Sequence, residues 1–134
     1  MRSIIKLSDG AHLTLKVDGN VIADRVIYCR SSSSRREGLL SLDRLEREEG
    51  ILMEMPESRR GKKGLVTSIH MLGMRFPICA AWFDDQGKVV HSTVAKPWGL
   101  YYGSPKPAWY VLEVHPQLIS DLGVGVKVNW ELAA

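Results

Sequence analysis

An unbroken apolar run between a proline and a turn sequence sets the firmest limit on how this chain can fold. The run covers Ile78–Phe83, and because alternate residues along a strand point to opposite sides, both of its faces are apolar. Pro77 can begin such a strand but cannot sit inside it, and residues 84–87, DDQG, have the composition of a tight turn. We therefore predict a buried central strand over 78–83, a turn, and a returning strand over 88–95.

Another hairpin is predicted near the start of the chain. Residues 11–17, AHLTLKV, alternate apolar and polar side chains with the period of a half-buried strand. The following residues, DGN, are those that a tight reversal favours, and residues 21–29 form the returning strand. Further strand-like runs cover 51–55, 108–114 and 124–130, which brings the total to about seven strands.

About three short helices accompany these strands. The first begins at Ser34, which has the spacing of a capping box with Glu37. The second covers 42–49 and ends at Gly50, and the third covers 116–122. The prediction is therefore a mainly β fold, α+β by content, in the form of a compact β-sandwich or barrel-like domain.

Length and composition indicate a single soluble domain. The 134 residues suffice for one core, and 45% apolar with 25% charged residues excludes disordered and fibrous classes. The net charge of +3 is too small to imply nucleic acid by itself. The loop over 56–64 carries four basic residues without interleaved aromatic rings, so we interpret it as a solvated turn and do not predict nucleic-acid binding.

The two cysteines give no sign of a disulfide framework or a metal site. Cys29 and Cys79 lie fifty residues apart, with no CxxC or Cys/His ligand spacing, and the four histidines are scattered. We predict no metal and no cofactor. The first residues reach Asp9 and Gly10 before an apolar stretch of signal-peptide or membrane-span length forms, so we expect a cytoplasmic protein without membrane insertion.

Several blocks of the sequence together resemble the family called domain of unknown function 192. They are Arg35-x-x-Gly38-Leu39-Leu40, an acidic run ending in Gly50-Ile51-Leu52, Ser68-Ile69-His70, Met74-Arg75-Phe76-Pro77-Ile78 and Asp84-x-x-Gly87-Lys88-Val89-Val90. The resemblance extends over about residues 20–130, and the block from Ser68 to Ile78 is its most specific part. It implies one small, mostly β domain over 1–134, and it implies no established reaction.

Two positions depart from the family pattern, and both lack a carboxylate. Members usually carry Pro-hydrophobic-Asp where this chain has Pro77-Ile78-Cys79, and Gly-Asp where it has Gly125-Val126. A thiol does not replace a carboxylate as a general base at neutral pH unless it is strongly activated. A reaction carried by the first of these acids is therefore not expected in this chain.

Cys79 and His70 are the most reactive side chain types in the most specific region. Strand parity puts Cys79 on an apolar face, so we interpret it as packing; as a nucleophile it would need His70 within hydrogen-bond reach. His70 is either an imidazole bonded to the backbone or a ligand contact.

Arg75 lies in an apolar run, where a guanidinium cannot be buried without a partner. Glu113, Glu54 and Asp84 are its candidate ion-pair partners. The alternative is that Arg75, like Arg35, faces a cleft and binds a carboxylate or phosphate from outside.

Aromatic side chains gather in and beside the Pro- and Gly-rich segment 96–107, and such rings can line a groove for a peptide, sugar or apolar ligand. Together with the polar candidates they define a predicted ligand-binding or polar cluster: Arg35, His70, Arg75, Trp98 and Tyr101.

Two functions are compatible with these residues. We favour a non-enzymatic binding or interaction module, because no nucleophile, base and orienting group occur together. Its partner would be an unknown small molecule or protein, and the sequence leaves the oligomeric state open. The alternative is a small hydrolase-like enzyme that uses His70 with Cys79 or Arg75.

Overall fold

The protein is built around a seven-stranded β-sheet. The computed structural model describes residues 7–31, 37 and 39–133. The strands within this part are β1 (His12–Val17), β2 (Asn20–Cys29), β3 (Glu49–Glu54), β4 (Ile78–Phe83), β5 (Val89–Ala95), β6 (Tyr110–Val114) and β7 (Asn129–Leu132). Two short 3-10 helices, Gly64–Thr67 and Pro116–Asp121, lie between them.

The order of strands in the sheet is β5-β4-β6-β3-β2-β1-β7. Every neighbouring pair is antiparallel except β2 and β3, which run parallel. All six residues of β4 are buried, and the strand lies between β5 and β6. The predicted interior strand over 78–83 is therefore confirmed.

The two edges of the sheet meet, which makes the fold barrel-like. An isolated antiparallel bridge joins Lys88, next to β5, to Lys127, which precedes β7. The backbone N–H of Val128 also donates to the carbonyl of Gly87 at 2.9 Å. The mainly β, barrel-like prediction is confirmed.

Apolar cores lie on both faces of the sheet, and β4 contributes to each. The interior core takes every second residue of this strand, Cys79, Ala81 and Phe83. The outer core takes the others, Ile78, Ala80 and Trp82. This division is the one that strand alternation predicts.

Two long segments, residues 62–72 and 96–108, pair with each other and cover the outer core. We name them the loop layer. Antiparallel bridges join Lys62 to Ala108 and Ile69 to Tyr102. The indole N–H of Trp82 donates to the carbonyl of Thr67 at 2.8 Å, which fastens the layer to β4.

Both predicted hairpins are present, with the expected turns. Asp18 and Gly19 have φ values of 51° and 81°, the left-handed backbone that a two-residue reversal between β1 and β2 requires. Gly87, with φ of 82°, ends the turn between β4 and β5. The helix predicted over 116–122 is present as the 3-10 helix Pro116–Asp121.

The helix predicted over 42–49 is wrong. Residues 41–48 form turns and bends, and Glu49 and Gly50 already belong to β3. They pair in parallel with β2, where Arg25 lies opposite Glu49. This long-range pairing outweighs the local helix signal. The helix predicted from Ser34 falls outside the described residues.

The last strand is shorter than predicted at its start. It begins at Asn129 instead of 124. Residues 125–128 instead contact the start of β5, where Gly125 N–H donates to the carbonyl of Val89 at 2.8 Å. These residues close the barrel through isolated contacts and not through a regular ladder.

Candidate functional site

A cleft of about 720 Å³ opens beside the loop layer. Much of its wall is apolar, including Met53, Met55, Ile69 and Met74. Its polar lining side chains are Glu37, Ser58, Arg59, Ser68, His70 and Glu113. A concave apolar surface with a few polar groups is the usual form of a small-molecule site.

Glu113 provides the buried charge of this cleft. It lies on β6, opposite Ile51 of β3 and Ala80 of β4. Strand parity points its side chain to the outer face, the side on which the cleft lies. The residue is only 9% exposed, and its carboxyl group makes no hydrogen bond or ion pair with any described residue.

Glu113 differs in this respect from the other buried polar side chains of the described chain. Thr67 donates from its hydroxyl to the carbonyl of Lys62 at 3.2 Å. Ser104 donates to the carbonyl of Lys106 at 2.8 Å. Buried polar groups are normally satisfied in this way, so an unsatisfied carboxyl group needs a functional or structural explanation.

Burial changes the acidity of Glu113. Because the charged form loses its hydration, burial raises the pKa of this carboxyl group from 4.5 to about 7. The group therefore exchanges its proton near neutral pH. Buried, pKa-shifted groups in clefts are concentrated at functional sites, although structural groups can show the same shift.

His70 is the member of the predicted cluster that lines this cleft. Its Nδ1 accepts a hydrogen bond from the backbone N–H of Leu72 at 3.2 Å. An accepting Nδ1 places the proton of the neutral ring on Nε2, which leaves Nε2–H as a donor. The imidazole is thus bonded to the backbone, as the first of its two predicted roles requires, and it lines the cleft; contact with a ligand stays a prediction.

Arg75 lies away from the cleft lining, at the surface. Its side chain is 62% exposed and forms an ion pair with Asp43. The prediction that Glu113, Glu54 or Asp84 pairs with Arg75 is therefore wrong. The apolar run around Arg75 is a loop and not a buried strand, so the guanidinium reaches solvent without a buried counter-charge.

Glu54 and Asp84 have other structural roles. Glu54 forms ion pairs with Arg30 at 3.5 Å and Arg60 at 3.2 Å, and it accepts a hydrogen bond from the hydroxyl group of Tyr28. Burial and this contact raise the pKa of Tyr28 above its ordinary range. Asp84 accepts backbone N–H groups within its own hairpin turn.

Trp98 and Tyr101 lie on the outer surface of the loop layer, 65% and 51% exposed. Neither lines the cleft. Arg35 falls outside the described residues. The described members of the predicted cluster therefore do not meet at one point. His70 lines the cleft, Arg75 forms a surface ion pair, and the two aromatic residues lie on an exposed surface.

Cys79 is fully buried and faces the interior core, on the opposite side of the sheet from Glu113 and the cleft. Burial raises the pKa of its thiol to about 12, so the thiolate is scarce at neutral pH. The hydrolase-like alternative requires His70 to act together with Cys79 or Arg75. The structure brings Cys79 near neither residue, since it lies on the other side of the sheet.

The cluster predicted from the sequence does not include Glu113, which appears there as a candidate ion-pair partner of Arg75. The available signal was one acidic residue within the apolar strand pattern of 108–114. An acid at an inward position is rare unless it is paired or functional. Its lack of a partner, however, could not be read from the sequence.

A smaller hollow of about 380 Å³ lies between β2, β3 and the turns that follow Leu39. Its charged side chains are already engaged, because Arg25 pairs with Glu48 at 3.2 Å and Glu49 accepts the backbone N–H of Glu46 at 2.8 Å. Fewer of its charged side chains are therefore free to bind a ligand than in the cleft of Glu113.

Among residues 7–31, 37 and 39–133, no three His, Cys, Asp or Glu side chains are grouped so that they could hold a metal ion. No helix in the described part of the chain has the length and apolar character needed to cross a bilayer.

Comparisons with known proteins agree with the fold and assign no activity. A crystal structure of a protein of unknown function from Novosphingobium aromaticivorans matches with a TM-score of 0.73 and 20% identity, over 89% of this chain and 84% of the other. A second, from Sinorhizobium meliloti and described provisionally as a transcription regulator, matches with a TM-score of 0.70 and 19% identity, over 95% and 97% of the two chains. At such low identity these likenesses establish the fold alone.

No curated protein matches the sequence. The model of the DUF192 family, described as an uncharacterized ACR, matches residues 13–130. This range contains nearly the whole barrel, including the cleft and Glu113. The chain therefore belongs to the DUF192 family.

Proposed function

We propose that this protein is a non-enzymatic binding domain whose cleft takes a small molecule with a cationic amine head and an apolar body. The observation that carries the proposal is Glu113, a buried carboxyl group that lines the cleft and has no partner among the described residues. We place the protein in the cytoplasm, since its two cysteines, Cys29 and Cys79, are not joined in a disulfide.

The head group follows from the charge of the cleft. An ionised carboxylate in an apolar site is unfavourable alone and becomes favourable when a cation pairs with it. An ammonium group would supply both the opposite charge and hydrogen-bond donors. A ligand carboxylate in the same place would be repelled once Glu113 is ionised.

The apolar body follows from the walls. Met53, Met55 and Met74 provide flexible, polarisable side chains that adapt to aliphatic or aromatic groups. Arg59 is exposed and has no ion pair with a described residue, so it can meet a polar group at the outer end of the ligand.

The test uses n-hexylamine as the probe, with 1-hexanol and hexanoate as chain-matched comparisons, in isothermal titration calorimetry at pH 8. We expect hexylamine to bind more tightly than either comparison. Glu113→Gln keeps the shape of the side chain and removes its charge, so it should weaken hexylamine binding by at least about tenfold.

Glu57→Gln is the matched control, because Glu57 is an exposed acid of the neighbouring loop outside the cleft lining. It should bind hexylamine as the unmodified protein does. Equal binding by Glu113→Gln, or equal binding of hexanoate and hexylamine, would overturn the proposal.

A further inference from the structure

The outer surface of the loop layer carries large apolar side chains that no part of the described chain covers. The most exposed are Leu65 at 77%, Leu100 at 76% and Trp98 at 65%. Tyr101, Val66 and Leu72 are also exposed. Isolated exposed apolar residues are common, but a group of this kind on one surface marks an interaction site.

Backbone hydrogen bonds hold the two segments of the layer side by side, so these side chains share a surface. Gly64 N–H donates to the carbonyl of Ser104 at 2.8 Å, beside Leu65. Trp98 N–H donates to the carbonyl of Met71 at 2.8 Å, beside Leu72. The patch is therefore built on paired backbone and not on one free loop.

Trp98 is held in an unusual conformation. Its φ is 66°, a left-handed value that a bulky side chain rarely adopts. The surrounding hydrogen bonds maintain this conformation while the indole remains exposed. Strain of this kind in an exposed aromatic residue is consistent with a role outside the core.

The charge of the layer has one sign. Residues 62–72 and 96–108 contain four lysines, Lys62, Lys63, Lys96 and Lys106, and no aspartate or glutamate. All four are exposed, and none forms an ion pair with a described residue. The apolar patch therefore has an unneutralised basic border.

This combination limits the occupant. A second copy docked through a two-fold axis would bring the same lysines to the same interface, where like charges repel. An anionic bilayer offers negative headgroups to the lysines and an apolar interior to the leucines, and Trp and Tyr rings favour the boundary between the two.

We propose that the loop layer docks peripherally on an anionic lipid bilayer, with Leu65, Trp98 and Leu100 entering the interface and the four lysines meeting the headgroups. Val66 and Leu72 belong both to the patch and to the cleft lining. Docking therefore brings the cleft close to the lipid surface. The inference does not depend on the ligand proposed above.

The test measures co-sedimentation of the full chain with phosphatidylcholine vesicles, with and without phosphatidylglycerol, at low salt. We expect binding that requires phosphatidylglycerol and decreases with salt. Leu100→Ser should weaken it by about tenfold, and the pair Lys62→Gln and Lys63→Gln by roughly thirtyfold. Each change is at an exposed side chain, so the fold should persist.

Matched controls lie elsewhere on the molecule. Val124 is 65% exposed and Lys127 is exposed, and both lie outside the loop layer. Val124→Ser and Lys127→Gln should bind vesicles as the unmodified protein does. In addition, vesicles should shift the tryptophan emission of the unmodified protein to shorter wavelength, and Trp98→Phe should remove that shift.

Three results would overturn the proposal. The first is no binding to anionic vesicles at low salt. The second is equal loss of binding in the loop-layer variants and the controls. The third is that Leu100→Ser leaves vesicle binding unchanged but abolishes self-association or the binding of an acidic protein. The patch would then be a binding surface for a protein. None of these results bears on hexylamine binding by Glu113.

Discussion

At the scale of single residues, Glu113 weakens the fold that contains it. Its pKa is about 7 in the folded protein and 4.5 as an ordinary side chain. Between these values the folded state binds more protons than the unfolded state, so stability decreases as pH rises. The contribution of Glu113 is most favourable below pH 4.5 and is lost as the pH rises through about 7.

Glu113→Gln should therefore stabilise the protein at alkaline pH. Relative to the unmodified chain, urea unfolding should give a gain of up to about 3 kcal/mol at pH 8 and a much smaller one at pH 5. Glu57→Gln, at an exposed site, should change neither value. A loss of stability in Glu113→Gln at pH 8 would mean that the carboxylate has a stabilising partner in the folded protein.

Cys79 illustrates the opposite case, a reactive residue type used as packing material. Its raised pKa and full burial predict that the native thiol resists alkylation. In a Cys29→Ala background, which leaves Cys79 as the remaining cysteine, iodoacetamide labelling at pH 7 should occur only through unfolding, at a rate set by the small unfolded fraction of the protein. Rapid labelling of the native protein would restore the case for a nucleophile.

At the scale of elements, alternation and turn composition predicted the hairpins β1–β2 and β4–β5. Those signals are local, since each hairpin is closed by a short turn. The parallel pairing of β2 with β3 joins residues that are distant in sequence and leaves no local signal, whereas the stretch 42–49 before Gly50 locally favours a helix. The cleft was missed for the same reason, because it forms only when β6 and the loop layer come together.

Gly50 shows what this pairing requires. A Cβ atom there would lie 2.5 Å from the carbonyl oxygen of Glu113 and 2.6 Å from Cγ1 of Val114. Its role is close contact between β3 and β6, not the termination of a helix.

Gly50→Ala should destabilise the protein by about 2 kcal/mol, because the backbone of β6 cannot move aside freely. Gly123→Ala is the matched control, since a Cβ there meets nothing within 4 Å and the backbone is not left-handed. The measurement is chemical denaturation. Equal stability of Gly50→Ala and Gly123→Ala would contradict the close packing of these strands.

At the scale of the whole molecule, closure of the barrel depends on β7 and the residues before it. Trp130 of β7 packs edge-on against Phe83 and Tyr110, with ring centroids 5.7 Å and 5.0 Å apart. The contact links one edge of the sheet to the strands near the other edge. It fixes the curvature that separates the interior core from the outer core and the cleft.

Trp130→Ala should therefore lower the free energy of unfolding by about 2 kcal/mol or more. Trp98→Ala removes an equally large but exposed ring and should have little effect on stability. Thermal unfolding of both variants gives the comparison. Similar losses in the two variants would indicate that Trp130 is not part of the closure.

Carbon-13 NMR resolves the signals of individual side-chain carboxyl groups, so it can follow the ionisation of Glu113 with and without n-hexylamine. We predict that Glu113 titrates near pH 7 in the free protein and at lower pH with the amine bound, because the ammonium stabilises the carboxylate. Titration near the ordinary value of 4.5, or a titration that hexylamine leaves unchanged, would contradict a buried carboxyl group that serves as the binding group of the cleft.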